Sequence, residues 1–148
     1  MKNFLAVALV LASTLTAAAT ASAQDHKVQA TVPFSFTVGS STLPAGTYTI
    51  GSSMNTSDVL KLSNWEKGVS ILTVGRANQS NPKRADVLVF HKYGDQYFLS
   101  QIRSDGASMN VDLTPSKAEA KARKQAEDAA GDEQARVVSA PILIALNR

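Results

Sequence analysis

There is no cysteine in the chain. That absence excludes structural disulfides, thiolate metal sites and cysteine nucleophiles. It also excludes the anchor of bacterial lipoproteins, which needs a cysteine directly after the cleavage site. Long hydrophobic runs are missing too: the most apolar stretch, Phe4 to Ala12, falls well short of the roughly 20 residues a membrane-spanning helix takes. Charge of one sign is not in excess, with 15 basic and 12 acidic residues. A near-neutral balance argues against a nucleic-acid partner. Aromatics are sparse, at 6% of residues, and form no paired girdles of the kind that mark a transmembrane β-barrel.

What the N-terminus does carry is an export pattern. Met1-Lys2-Asn3 supplies a positive charge, Phe4 to Ala12 an apolar segment, and Ala21-Ser22-Ala23 small residues at the positions a signal peptidase reads. Cleavage is expected between Ala23 and Gln24, with residues 1–23 as the signal peptide. The remainder, 24–148, is enough chain for one hydrophobic core without metals or crosslinks. The expected product is a single domain, periplasmic or secreted, and not membrane-anchored after cleavage.

Period-two patterning dominates that domain. From Val28 to Val38 the even positions are Val28, Ala30, Val32, Phe34, Phe36 and Val38, alternating with polar residues, which predicts a half-buried strand. Pro33 cannot donate to a ladder, so the strand should lie at an edge or carry a bulge there. Turn chemistry follows at Gly39-Ser40-Ser41 and Pro44-Ala45-Gly46. Val59 to Leu62 and Val69 to Val74 read as a hairpin, and Gly75 to Ala85 as a polar connection.

The next two strands, Asp86 to Tyr93 and Gln96 to Arg103, are joined by Gly94-Asp95, a two-residue hairpin turn. The implied register pairs His91 with Phe98, Val89 with Ser100, Val87 with Ile102 and Asp86 with Arg103. A second tight turn at Asp105-Gly106 would pair Ile102 with Met109. Val87, Val89, Phe98, Ile102, Met109, Val111 and Leu113 would then share one face, with Leu88, Phe90, Tyr97 and Leu99 on the other. Both faces need a cover.

Ser116-Lys117-Ala118-Glu119 is a capping-box pattern. It predicts a helix over about 117–130 that ends at Gly131, bears an alanine stripe at Ala118, Ala122, Ala126 and Ala129, and is supported by a Glu119–Arg123 pair. A final strand is expected over about 137–146, bent by Pro141. The fold class expected is mainly β: a compact antiparallel β-sandwich or small barrel of roughly seven to nine strands with one C-terminal α-helix.

The segments Val32 to Gly39, Leu43 to Tyr48, Val89 to Leu99 and Pro115 to Glu119 together resemble a family of small exported bacterial proteins of unknown function. The resemblance implies an architecture and a compartment. It implies no activity, cofactor or binding residue, and nothing beyond Ala120 takes part in it.

Candidate chemistry is thin at this level. His91, Asp95 and Ser100 invite a Ser-His-Asp reading, but Asp95 sits in the turn and no nucleophile elbow is present, so a packed or rim histidine is favoured. His26 lies in the expected frayed N-terminus, which leaves no two-histidine metal site. Gly94-Asp95 and Asp105-Gly106 each offer one carboxylate where calcium wants several. No catalytic, cofactor-binding or metal residue is assigned, and no cofactor is expected. Trp65 and the loop cations Arg76, Lys83 and Arg84 are the candidate ligand or partner contacts; a loop indole can stack on a sugar or anchor a partner, and can also fold back over a core edge. The expectation is a non-enzymatic binding or interaction module of the cell envelope or extracellular space, whose partner is an envelope glycan or protein. A small exported hydrolase or isomerase is the alternative.

Overall fold

The computed structural model describes residues 27–52, 58–78, 86–107, 109–138 and 141–147, with the backbone alone for 130–138. The cleavage site at Ala23 and Gln24, with His26, Lys83 and Arg84, lies outside the described residues.

Alternation builds the first strand as expected. In β1 (Lys27–Val32) Val28, Ala30 and Val32 are buried and Lys27, Gln29 and Thr31 face out. Pro33 ends it, because a residue without an N–H cannot continue the ladder. The expected single strand is therefore two, with β2 (Phe36–Val38) following a break in which Phe34 stacks on Tyr97 at 4.0 Å. β3 (Ser41–Leu43) returns along β2. β4 (Gly46–Ser52) pairs antiparallel with β1, and β5 (Val59–Asn64) with β4. β6 (Val69–Ala77) completes a hairpin with β5, in register from Val59↔Val74 to Asn64↔Val69.

Here the sequence reading needs correction. Gly75, Arg76 and Ala77 are not a connection but strand, pairing with Leu113, Asp112 and Val111 of β9 (Met109–Leu113). Gly75 signals close approach rather than a connection: a Cβ there would run into Val111 Cγ1 and lie 3.2 Å from the Asp112 carbonyl oxygen.

β7 (Val87–Tyr93) and β8 (Gln96–Ser104) meet across Gly94-Asp95, with Gly94 at φ +59°. Near the turn the register is the expected one, Tyr93↔Gln96 and His91↔Phe98, but it shifts between Phe90 and Val89, giving Val89↔Gln101, Leu88↔Ile102 and Val87↔Arg103. Ser100 is the extra residue of a β-bulge. The bulge overturns the expected pairs Val89–Ser100, Val87–Ile102 and Asp86–Arg103, and its physical reason lies in the core. With it, Leu88, Phe90, Leu99 and Ile102 all enter one cluster; without it, Leu88 and Ile102 would face opposite ways. Asp86 instead accepts from Ser104 Oγ at 3.1 Å and from the Asp105 amide at 2.9 Å. β9 pairs Ser104↔Met109 and Ile102↔Val111, so that turn is longer than Asp105-Gly106 alone. This slip is by two residues, which keeps β8 and β9 in the same parity, but the bulge overturns the expected face: Ile102, Met109, Val111 and Leu113 pack with Leu88, Phe90 and Leu99, while Phe98 packs with Tyr93 on the other side.

The helix α1 (Lys117–Val138) begins as the capping pattern requires, with the Glu119 amide donating to Ser116 Oγ at 3.1 Å. It does not stop at Gly131. An interior glycine costs only about 1 kcal/mol, and Asp132 to Arg136 are residues that continue a helix. Val137 and Val138 therefore belong to α1, and the last strand shrinks to β10 (Ile142–Ala145), antiparallel to β7. Of the alanine stripe, Ala122 is buried and Ala126 partly so, while Ala118 and Ala129 are exposed. Arg123 pairs with Glu127 rather than Glu119, at 3.7 Å.

The strands form one ten-stranded sheet in the order β1-β4-β5-β6-β9-β8-β2-β3, with β7 on the other edge of β8 and β10 beyond β7. All pairings are antiparallel except β2 with β8. Inward side chains from both ends of the sheet enter a single cluster that includes Tyr48, Phe36, Phe90, Ile50, Leu60 and Leu62. Phe36 sets its edge against Tyr48 and Phe90 at 5.1 and 5.3 Å. The sheet is open, which excludes the barrel alternative. β10 uses its length on β7; beyond it, among the described residues, Asn147 bridges to β1, its amide donating to the Gln29 carbonyl at 2.6 Å.

Candidate functional site

Two places on this scaffold carry groups that the core does not account for. The first is the tip of the β5–β6 hairpin. Asn64, the last residue of β5, is 1% exposed, and its Oδ1 accepts from the Lys67 amide at 3.0 Å. The Gly68 amide closes on the Trp65 carbonyl at 3.3 Å, with Gly68 at φ +62° where a side chain would be strained. This tight turn leaves Trp65 97% exposed, so the indole does not fold back over the core edge. Along the outer face of the same hairpin Leu72 and Val74 are 61% and 63% exposed. Lys61 stands opposite Leu72, and Val59 opposite Val74.

Exposed apolar side chains on one face of a hairpin are the kind of surface that partners cover. Leu72 and Val74 escaped the sequence reading because Val69 to Val74 looks like a core strand throughout. Parity was the available signal: if Val69 and Ile71 point in, then Leu72 and Val74 point out. Arg76 continues the outer face of this strand, two residues and roughly 7 Å beyond Val74 at about 3.3 Å per residue, at the end far from the hairpin tip. It sits opposite Asp112, whose carboxylate accepts from Asn78 Nδ2 at 2.7 Å.

The second place is the face of β7 and β8 under the first turn of α1. His91 Nδ1 lies 2.8 Å from Glu119 Oε1, and His91 Nε2 lies 3.2 Å from Ser100 Oγ. A carboxylate only accepts, so Nδ1 carries the proton toward Glu119 and Nε2 is left to accept from the Ser100 hydroxyl. The Glu119 side chain is 9% exposed and that of His91 33%. Tyr93 stands edge-on to the imidazole at 6.1 Å and packs with Phe98 and Ala122 in a small second cluster. The acid is thus buried while the histidine and serine keep access to water.

The sequence brought His91 and Ser100 to one face correctly. It looked for the acid at Asp95, which is exposed in the turn. A capping box would return the Glu119 carboxylate to the helix cap; instead it leaves the helix for His91. The missed signal was its position: a carboxylate in the first turn of a helix that must cover this face.

A cleft of about 450 Å³ opens at the seam where the sheet fails to close, between Lys27, Gln29 and Thr49 on one side and Asp86, Ser104 and Asn147 on the other. Its one carboxylate, Asp86, is held by Ser104 and the Asp105 amide. Among the described residues, no group of three or more His, Asp or Glu is arranged to hold a metal ion, and no helix is long and apolar enough to cross a membrane. No protein-family model, curated protein or solved structure matches the chain.

Proposed function

We propose that this protein is an exported interaction module that binds a negatively charged glycan of the cell envelope through the tip and outer face of the β5–β6 hairpin. The observation that carries the reading is Trp65, held 97% exposed by a turn fixed through buried Asn64. Keeping an indole in water is unfavourable for the free protein, and a sugar ring stacked on it removes that cost. Lys61 and Lys67 are exposed on the same hairpin, where the acidic residue is Glu66, so the surface attracts carboxylates. Leu72 and Val74 provide apolar contact for the methyl groups of acetylated sugars and short peptide side chains. Export, read from residues 1–23, puts the protein where such polymers are, in keeping with the small exported proteins it resembles.

The test uses purified peptidoglycan sacculi. Because Trp65 is the single tryptophan, its emission reports the contact directly. Co-sedimentation with sacculi and a blue shift of that emission are expected, and Trp65→Ala should weaken binding by roughly 30-fold or more, the effect of losing a central aromatic anchor. Equal sedimentation of Trp65→Ala, or no sedimentation of the parent protein, would overturn the reading. Sedimentation with vesicles of anionic phospholipid but not with sacculi would move the partner from glycan to membrane surface and overturn it equally.

A further inference from the structure

We propose that Ser100, His91 and Glu119 form an acyl-transfer site, with Ser100 as nucleophile, His91 as general base and Glu119 as the positioning residue, acting on small acyl esters. The inference is independent of the hairpin and rests on the chain of contacts across the β7–β8 face: serine hydroxyl to Nε2 at 3.2 Å, Nδ1 to buried carboxylate at 2.8 Å. Nucleophile, base and orienting acid in hydrogen-bonded sequence define such a site by geometry and not by chain order. The acid is supplied by a separate element, the helix, so local sequence spacing could not show it.

A purely packing role accounts for part of this arrangement but not all of it. Glu119 on His91 would suffice to dock the helix. It does not require that the remaining nitrogen meet a hydroxyl, nor that the serine be the residue the ladder leaves out. Ser100 has no Cα partner opposite it in β7, where the pairing passes from Leu99 to Gln101. On the other edge of β8 it falls between Phe98, paired with β2, and Gln101, paired with β9. Bulges of this kind re-aim a side chain and are common beside active sites.

The chemistry balances without a cofactor. Ser100 Oγ bonds to the acyl carbon as its proton passes to His91 Nε2. The intermediate collapses, and the departing alkoxide takes that proton as the alcohol, leaving Ser100 acylated. Water then adds to the acyl carbon, giving a proton to Nε2. The Ser100 oxygen leaves and recovers it, so that ester and water become acid and alcohol.

The full chain should react with a fluorophosphonate probe, mass spectrometry should place one adduct on Ser100, and p-nitrophenyl acetate should be hydrolysed with a burst. Ser100→Ala should abolish the adduct. His91→Gln should slow labelling on the order of 10³-fold or more, and Glu119→Gln should lower kcat with little change in KM. Ser100→Ala replaces a half-buried side chain with a smaller one, so it remains informative should Glu119→Gln fail to fold. A folded protein with no adduct on Ser100, hydrolysis by Ser100→Ala at the parent rate, or undiminished labelling of His91→Gln would each overturn the proposal.

Discussion

Replacing Glu119 with alanine should release the helix while leaving the sheet folded. Among the described side chains, α1 is held to the β7 face by few groups. Ala122 is buried, Ala126 is partly buried, and both pack on Tyr93 and Phe98. A methyl group contributes on the order of 0.8 kcal/mol when buried, so this apolar contact amounts to about 1 to 2 kcal/mol. The hydrogen bond from His91 Nδ1 to the buried Glu119 carboxylate, at 2.8 Å, is of the charge-assisted kind that contributes about 1.5 to 3 kcal/mol. It is therefore at least as large as the packing term. The exposed Arg123–Glu127 pair adds little. Removing the carboxylate should lower the free energy of local helix opening by about 1.5 to 3 kcal/mol, a fall of roughly 10- to 150-fold in hydrogen-exchange protection. The assay is native-state hydrogen exchange read by peptide. Amides of 120–129 should lose protection by that factor, while those of β5 and β8, whose ladders do not involve α1, keep theirs. Unchanged protection in 120–129 would refute the reasoning, and so would an equal loss throughout the sheet.

Two further outcomes follow from the core. Gly75→Ala should destabilise the whole domain by about 1 to 3 kcal/mol, seen as a lower denaturant midpoint with unchanged slope, because the added methyl would meet Val111 Cγ1 and the Asp112 carbonyl of β9; an unchanged midpoint would show that β6 and β9 are not so closely apposed. Burial pushes the Tyr48 phenol above its usual value of 10.0, so the folded chain keeps a proton that the unfolded chain has lost, and stability should fall as pH rises above about 10. Tyr48→Phe removes the hydrogen bond to the Pro44 carbonyl, 2.6 Å long, and is expected to be less stable at neutral pH with a shallower alkaline decline; an identical decline would assign the slope to other groups.

Much of the fold was legible because it depends on periods and punctuation. The alternation from Lys27 to Val32, the Gly94-Asp95 turn and the Ser116 cap are local, and each formed where the residues required. The departures were non-local. Gly131 looked like a stop, yet nothing after it prevented the helix from continuing. Gly75 looked like the start of a polar connection, because a sequence does not reveal that another strand passes within contact distance. The bulge at Ser100 is invisible to a reading that extends a hairpin register from its turn, since the shift is set by which side chains the core must collect.

Sequence alone determined the exclusion of cysteine chemistry, the mainly β class, the single capped helix near the C-terminus and the shared face of His91 and Ser100. Patterns of period two and 3.6, with turn and cap residues, are sufficient for that. Tertiary structure decided that the sheet stays open, that Trp65 stands in solvent, that Ser100 is squeezed out of the ladder and that Glu119 lies over the imidazole. These depend on where distant segments come to rest: Glu119, 28 residues after His91, supplies its carboxylate from the helix, and no local pattern encodes a meeting that only packing brings about.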